Sequence, residues 1–180
     1  MSAAIMQTGE RRRYWLSVAA LAIALPLAIV VNSWESAGVW RGHNIRAPLV
    51  VERGTVQRYA GAQWRLTGLT RLPEGSADAN LIVAEFEAAI DDPELLREGP
   101  CEVLLTDDKR RRWQPAFIPP RTVRQARPLA ADKPRCGALL KAEKGKTIMM
   151  AEAFTVPVSA SGLKVFVTIA AARPAYLVFK

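Results

Sequence analysis

The fold is set by residues 81–90, which read LIVAEFEAAI. Apolar side chains occupy every second position of this run, namely Ile82, Ala84, Phe86, Ala88 and Ile90. The alternate positions include Glu85 and Glu87, so the two faces of the run differ in polarity. A period of two is that of a β-strand with one buried face. We therefore predict a strand whose even-numbered residues line a core and whose acidic face is solvated.

The same period recurs on both sides of this strand. Trp64 and Leu66 alternate with polar residues up to Gly68, where the break in the pattern predicts a bulge or bend. Further strands are predicted at residues 101–105, 112–114, 147–158, 163–169 and 176–179. Seven to nine short strands without βαβ alternation predict an all-β fold, an antiparallel β-sandwich.

Two segments between the strands have other patterns. Asp92 and Pro93, with Gly99 further on, are typical of a short helical turn that has Asp92 as its N-cap. Residues 118–135 are rich in proline and arginine and have no clear period, which predicts a long loop.

Five carboxylates lie close together in the sequence, at Glu85, Glu87, Asp91, Asp92 and Glu94. Carboxylates two residues apart on a strand share a face, an arrangement compatible with calcium binding. No oxygen-rich loop of known spacing surrounds them, so a solvated sheet face is the interpretation that we favour.

Residues 14–34 form a candidate transmembrane helix ahead of the β-rich part. These 21 residues would cover about 30 Å as a helix, the hydrocarbon thickness of a bilayer. Arg11, Arg12 and Arg13 precede the apolar run, and aromatic residues flank both of its ends. The positive-inside rule then predicts a single-pass protein of the bacterial inner membrane with a cytoplasmic N-terminus.

This topology divides the chain into four parts. They are a cytoplasmic tail at 1–13, the transmembrane helix at 14–34, a stalk at 35–47 and an extracytoplasmic β-sandwich domain at 48–180. A cleaved signal peptide is the main alternative for the apolar run, although no Ala-x-Ala site follows it. A buried helix of a soluble protein is the second alternative, and an apolar character on all sides of the helix argues against it.

Cys101 and Cys136 both fall in the part predicted to be exported. An even pair in an oxidising compartment predicts a disulfide, with two free buried thiols as the alternative. The chain has no C-x-x-C motif and a single histidine, His43, so we predict neither a metal site nor a cofactor. Nucleophile elbows and glycine-rich phosphate loops are also absent from the sequence, and no catalytic residue is predicted.

The net charge of +8 is unevenly distributed. Residues 32–108 carry 7 basic and 13 acidic residues, whereas residues 109–146 carry 12 basic and 2 acidic ones. A charge asymmetry of this kind can steer an acidic partner. The residues that we predict to contact a protein partner are Arg110, Arg111, Arg112, Arg121, Arg124 and Arg127.

The basic segment also fits two alternative roles. It could be a solvated face that balances the acidic half, or it could bind anionic headgroups or cell-envelope polymers. Nucleic acid is not expected, because the domain is predicted to lie outside the cytoplasm and Trp113 is the lone aromatic residue among the basic ones.

Several short motifs over residues 50–180 carry a resemblance to a known class of domain. They are Gly61-x-x-Trp64, Pro73-x-Gly75, Cys101-x-Val103-x-Leu105-x-Asp107, Arg112-Trp113-x-Pro115 and Phe154-x-Val156-Pro157. In this order they resemble telokin-like, immunoglobulin-like bacterial exported domains of unknown function. The resemblance implies an immunoglobulin-like sandwich that binds or scaffolds beside a membrane anchor. The arginine-rich segment 109–127 departs from it, since such domains more often have a glycine in that hairpin.

We therefore expect a non-catalytic membrane-anchored domain that docks or stabilises a protein partner at the membrane surface. One alternative is an accessory subunit that packs into a larger membrane complex through its helix, which carries Ala19, Ala20, Ala22, Ala24 and Ala28. Another is an envelope enzyme or enzyme subunit whose site has no recognisable motif.

Overall fold

A computed structural model describes the backbone of residues 8–43, 47–73 and 78–180. Within the first of these ranges, side chains are described for residues 11–31. The chain divides into two compact units, Met1–His43 and Asn44–Lys180.

The described part of the N-terminal unit is a single helix, α1, which spans Thr8–His43 and contains Pro26. Residues Arg11–Val31 are long and apolar enough to cross a membrane. The helix extends beyond the predicted segment 14–34 at both ends, and it includes most of the predicted stalk at 35–47. The side chain of His43 lies outside the described residues.

The second unit is built mostly of β-strands, as the sequence predicted. In the described residues the strands are β1 (Ala47–Val51), β2 (Gln57–Tyr59), β3 (Ala62–Pro73), β4 (Ala79–Ile90), β5 (Cys101–Thr106), β6 (Arg112–Trp113), β7 (Thr147–Pro157), β8 (Lys164–Ile169) and β9 (Ala175–Phe179). Short helices separate some of them, namely α2 (Pro93–Arg97), α3 (Arg121–Ala126) and α4 (Pro128–Ala131), with 3₁₀ helices at Cys136–Lys141 and Ala170–Ala172.

The strands form two sheets. The first has the order β1-β9-β8-β5-β6 and the second the order β2-β3-β4-β7. The prediction of a purely antiparallel arrangement is wrong at one place, because β1 pairs in parallel with β9 over Ala47–Val51. This pairing makes the first sheet mixed. It joins strands from the two ends of the domain, which no local sequence pattern records.

The two sheets share one apolar core. The even-numbered residues of β4 from Ile82 to Ile90 are all buried in it, as predicted, and so are Trp64 and Leu66 of β3. Phe86 of the second sheet contacts Phe179 of the first, with their ring centroids 6.4 Å apart. Burial of each large apolar side chain among them contributes about 1.5–3 kcal/mol, so these positions determine which face of each strand turns inward.

Gly68 lies at an irregularity in the pairing of β3 with β4. The register shifts between Leu66 and Gly68, which confirms the predicted bulge. A Cβ atom at Gly68 would lie 3.3 Å from Oε2 of Glu85 on β4. The glycine therefore leaves room for a carboxylate on the outer face of the second sheet.

That outer face is not solvated as predicted. Glu85 is only 8% exposed, and Leu81 and Val83 beside it are buried. Val123 of α3 and Ala130 of α4 pack against these strand residues in a second, smaller apolar cluster. Residues 118–135 are thus not a structureless loop but contain two short helices that cover the sheet. Helices of six and four residues are too short to produce a visible period in the sequence.

Tyr59 links the two sheets through its hydroxyl group. The hydroxyl accepts a hydrogen bond from the Ile169 N–H at 3.0 Å and donates one to the Ala175 carbonyl at 3.0 Å. The indole N–H of Trp64 donates in turn to the Tyr59 carbonyl at 3.0 Å. Burial raises the pKa of Tyr59, so the hydroxyl stays protonated and keeps its donor role.

We expect Tyr59→Phe to lower the free energy of unfolding by about 1–3 kcal/mol, because it leaves a backbone donor and acceptor unpaired near the core. Chemical denaturation of the purified full-length protein would measure the change. Tyr176→Phe is the matched control, since the Tyr176 hydroxyl makes no hydrogen bond to any described residue. Equal effects of the two substitutions would contradict the linking role.

Candidate functional site: the groove beside the disulfide

Pro115 marks the point at which the chain leaves the first sheet. Strand β6 pairs with β5 only through Leu105↔Trp113 and Thr106↔Arg112. Continued in the same register, Pro115 would stand opposite Val103, and proline has no N–H to donate. The next residue, Ala116, instead donates its N–H to the Ala153 carbonyl of β7 at 2.8 Å.

The crossing segment, residues 115–117, covers the free edge of β7 in the second sheet. After α3 and α4 the chain returns to this edge, where the Ala151 N–H donates to the Pro134 carbonyl at 3.1 Å. Covering an edge in this way prevents unwanted strand pairing. The edge of β5 receives no such cover from β6, because β6 ends after two residues.

A groove of about 620 Å³ opens between the uncovered edge of β5 and the crossing segment. One wall is formed by Cys101–Leu104 of β5. The remaining residues around it are Gln114, Pro115, Phe117, Arg135, Cys136, Gly137 and Glu152. The groove therefore lies where the two sheets are not closed against each other.

Glu152 ties the walls of the groove together. It is 4% exposed and lies opposite Ala84 in the register, on the core side of β7. Its Oε2 accepts from Nε of Arg135 at 2.9 Å, and its Oε1 accepts from the Cys136 N–H at 3.0 Å. Arg135 also donates through Nη1 to the Phe117 carbonyl at 3.1 Å. Because a buried charge is costly unless it is paired, these contacts hold the crossing segment in place.

Cys101 and Cys136 form a disulfide, with 5.6 Å between their Cα atoms, as the sequence led us to expect. The bridge spans a sequence separation of 35 residues and fastens the 3₁₀ helix Cys136–Lys141 to the start of β5. One end of the groove is therefore fixed covalently, and the 3₁₀ helix cannot move away from β5 at that end.

Arg111 is one of the predicted partner-binding residues, and the structure gives it contacts within the domain. Its backbone N–H and its Nε donate to the two carboxylate oxygens of Asp107 at 2.9 and 2.8 Å. Its guanidinium also lies over the Trp113 ring, 5.4 Å from the ring centroid. Burial alone would raise the pKa of Asp107, but the hydrogen bonds from Arg111 outweigh it and hold that pKa below its ordinary value.

Arg127 is likewise engaged within the domain. Its Nη2 donates to Oε2 of Glu85 at 2.6 Å, and Lys133 donates to Oε1 of the same carboxylate at 2.7 Å. These two contacts anchor α4 and its flanking residues to the outer face of the second sheet. Neither Arg111 nor Arg127 is therefore free to bind a partner without losing an internal ion pair.

The four remaining arginines of the predicted set are exposed, and none forms an ion pair with a described residue. Arg110 and Arg112 lie on the β5–β6 hairpin, and Arg121 and Arg124 lie on α3. Arg110 has a φ of +62°, a backbone conformation that favours glycine.

The carboxylates of the acidic cluster each have a donor within the domain. Glu85 accepts from Arg127 and Lys133, and Asp92 caps α2 by accepting from the Glu94 N–H at 3.1 Å. The remaining ion pairs are Arg65–Glu87, Arg58–Asp91 and Arg97–Glu94. Among the described residues, no group of three or more His, Cys, Asp or Glu side chains is placed to hold a metal ion.

The groove was not predicted from the sequence. Its walls come from separate parts of the chain, and strand periodicity does not report which edge of a sheet stays open. The available signal was Pro115, three residues after the predicted start of the return strand, because proline inside a strand pattern indicates that pairing stops there.

No protein-family model matches the sequence, and a search of curated proteins finds no match. Among solved structures, the chain is similar to the yjhA protein from Bacillus subtilis, with 10% identity and a TM-score of 0.44. That similarity covers 72% of this chain and 97% of the yjhA chain. A candidate lipoprotein from Staphylococcus aureus is similar at 13% identity and a TM-score of 0.38, over 70% of this chain and 92% of the lipoprotein chain.

We expect Asp107→Asn to make the free energy of unfolding less dependent on pH in the acidic range. A carboxylate with a lowered pKa stabilises the fold above its ordinary value of 3.8, and this contribution is lost as the pH falls through the pKa of the folded state. The variant should thus be less stable than the parent at neutral pH, and the difference should shrink as the solution becomes strongly acidic. Unfolding free energies measured across this range would check it.

Asp108→Asn is the control for that measurement. Asp108 is exposed, and its ion-pair partner is Lys164, at 3.6 Å. Its replacement should leave the pH dependence close to that of the parent protein. If the free energies of unfolding of Asp107→Asn and the parent protein differed by the same amount at every pH, the role assigned to the Asp107–Arg111 pair would be contradicted.

Proposed function

We propose that the chain is a non-catalytic, membrane-anchored domain that docks or stabilises a protein partner at the membrane surface. The observation that carries the proposal is the set of exposed arginines without an ion-pair partner in the described residues, Arg110, Arg112, Arg121 and Arg124. A guanidinium presents a planar fork of donors that matches a carboxylate in two-point geometry. The preferred partner surface is therefore acidic.

The proposal includes a placement for the chain. Residues 1–13 lie in the cytoplasm, α1 crosses the bacterial inner membrane, and the β-rich domain lies on the extracytoplasmic side. Arg11–Arg13 before the apolar run support this orientation. The Cys101–Cys136 bridge supports it independently, since disulfides persist in oxidising compartments.

We infer that the domain belongs to the immunoglobulin-like class despite its mixed first sheet. Two sheets that share a core, short antiparallel strands and a disulfide support this assignment. The parallel β1–β9 pair then represents an addition at one edge of the first sheet. Domains of this architecture bind through edges and loops on a rigid scaffold, which suits a docking role.

The non-catalytic part of the proposal rests on how the charges at the groove are used. Glu152 and Arg135 are bound to each other and to the backbone of Cys136 and Phe117. A general acid or base needs a proton that it can exchange with a substrate. The contacts of Glu152 favour a structural role instead.

A second candidate function is that of an accessory subunit held in a larger membrane complex by its helix. Ala24 and Ala28 are four residues apart and so share a helix face, where Leu21, Leu25 and Ile29 surround them. Small residues on one face allow a second helix to approach closely. Exchange of residues 14–34 for an unrelated apolar helix would abolish association under this candidate and preserve it under domain docking.

We expect the double charge reversals Arg110→Glu/Arg112→Glu and Arg121→Glu/Arg124→Glu each to weaken association at least about tenfold, since each replaces attraction by repulsion. The measurement is quantitative co-purification of the full-length protein from its native membrane in mild detergent. Lys144→Glu/Lys146→Glu is the control with the same charge change, because both lysines are exposed and lie on a different turn. Unchanged association in both arginine variants would refute the proposed surface.

The same variants separate a protein partner from anionic lipids. Binding of the full-length protein in nanodiscs to vesicles of phosphatidylcholine with about 30% phosphatidylglycerol would fall with any of the charge reversals, since headgroup attraction follows net charge. A protein partner would discriminate between the arginine variants and the lysine control. Loss of association to the same extent in all three would favour the lipid.

A further inference from the structure

The outward edge of β5 carries backbone groups that no strand among the described residues pairs. The Pro100 carbonyl accepts from the Ala170 N–H at 3.2 Å, which directs Pro100 towards β8. The Asp107 N–H donates to the Arg111 carbonyl at 3.3 Å, which directs Asp107 towards β6. Because successive residues of an antiparallel strand point their N–H and C=O groups to opposite sides, Cys101, Val103 and Leu105 face away from β8.

Within the described part of the chain, Leu105 alone of these three residues has a strand partner on this side, which is Trp113 of β6. Among the described residues, none exchanges a hydrogen bond with the backbone N–H or C=O of Cys101 or Val103. Val103 is 4% exposed and lines the groove, so its N–H and C=O reach solvent through that opening. A strand edge with free N–H and C=O groups is a template for pairing with another main chain.

The groove has the size of a short extended segment. Residues 101–104 span about 14 Å at roughly 3.4 Å per residue, and the space beside them is about 620 Å³. Phe117 on the opposite wall is 87% exposed, and Pro115 adjoins it. An incoming strand of about four residues would thus pair with β5 on one side and place apolar side chains against Phe117 and Pro115.

The charge at the hairpin end of the groove favours an acidic residue at one end of the bound segment. Inside it, Glu152 is paired with Arg135, and Glu102 lies 3.4 Å from Arg173. At the hairpin end stands Arg112, exposed and without an ion pair in the described part of the chain. The charged residues that line the groove are thus all paired within the domain, and the bound segment meets the charge of Arg112 at the hairpin end.

We propose that this groove binds an extended segment of the protein partner, which adds a strand to the open edge of β5 through Cys101 and Val103. The segment is apolar where it meets Phe117 and carries an acidic residue at the Arg112 end. The inference rests on the proposed docking function and gives it a mode of recognition, the addition of a strand to an exposed sheet edge.

Amide hydrogen exchange tests the edge without any ligand. In the full-length protein in detergent micelles, the N–H groups of Glu102 and Leu104 should be protected by β8, whereas that of Val103 should exchange at least about tenfold faster. Equal protection of all three amides at every protein concentration would overturn the open edge. Protection of Val103 that increases with protein concentration would assign the edge to a second copy of the chain and overturn the peptide proposal.

A defined peptide then tests occupancy. The probe is the acetylated and amidated hexapeptide Asp-Val-Thr-Val-Thr-Val, added to the same sample while NMR follows the Val103 amide. We expect saturable binding and slowed exchange at Val103. Two further peptides are N-methylated, one at every odd-numbered amide and the other at every even-numbered amide. One of them should bind at least about tenfold more weakly than the parent peptide and the other about twofold more weakly at most, because only one edge of the peptide faces β5.

Phe117→Ala should lower peptide affinity at least about tenfold, whereas Leu129→Ala should not change it. Leu129 is the matched control because it is 83% exposed, on α4, and does not line the groove. The proposal would be overturned if the parent peptide did not bind, if the two methylated peptides bound equally well, or if the two alanine variants changed the peptide affinity equally.

The two proposals fail in distinguishable ways. If the arginine reversals abolish association but the peptide leaves Val103 unchanged, docking stands and the strand-addition mode is wrong. If the peptide binds as expected but the native membrane yields no associate sensitive to the reversals, the groove stands and the docking surface assigned to the arginines is wrong.

Discussion

Two buried carboxylates on the neighbouring strands β4 and β7 hold the chain between β6 and β7 against the second sheet. Glu85 of β4 points to the outer face and binds Arg127 and Lys133, while Glu152 of β7 points inward and binds Arg135. The chain between β6 and β7 is thereby fastened around the β7 edge from both faces. Removal of Arg135 would leave the buried Glu152 carboxylate without a counter-ion, which costs more than the pair stabilises. The position of α3, α4 and the groove wall depends on these contacts.

The sequence patterns correctly predicted the features that depend on residues close together in the chain. The inward face of β4, the bulge at Gly68 and the Asp92 cap each follow from side-chain period, backbone freedom or a single short-range hydrogen bond. The parallel β1–β9 pair, the burial of Glu85 and the open edge of β5 depend on segments far apart in the chain. In the sequence, Glu85 has the same pattern as the partly exposed Glu87, and only the cover supplied by α3 and α4 distinguishes them.

The arginine-rich segment shows the same difference between features that the sequence predicts and features that the fold decides. Its residues look equivalent in the sequence, yet Arg111 and Arg127 neutralise acidic groups of their own domain, and Arg110, Arg112, Arg121 and Arg124 form no ion pair with the described residues. Nothing in their spacing separates the two groups, because burial and the folded backbone decide which carboxylate each arginine can reach. The groove was not predicted from the sequence for a related reason. It lies where the pairing of β6 with β5 stops, and no sequence motif starts at that place.

The parallel pairing of β1 with β9 gives the domain a mechanical property. Strand β1 is the first element after the helix, so any tension between the helix and a load carried by the sheets passes through it. Its five residue pairs with β9 lie side by side, and the Lys180 N–H adds a further bond to the Val51 carbonyl. Tension along the strand axis is shared by all of these bonds at once instead of breaking them one after another. The first strand is thus attached as a tether that resists pulling in shear.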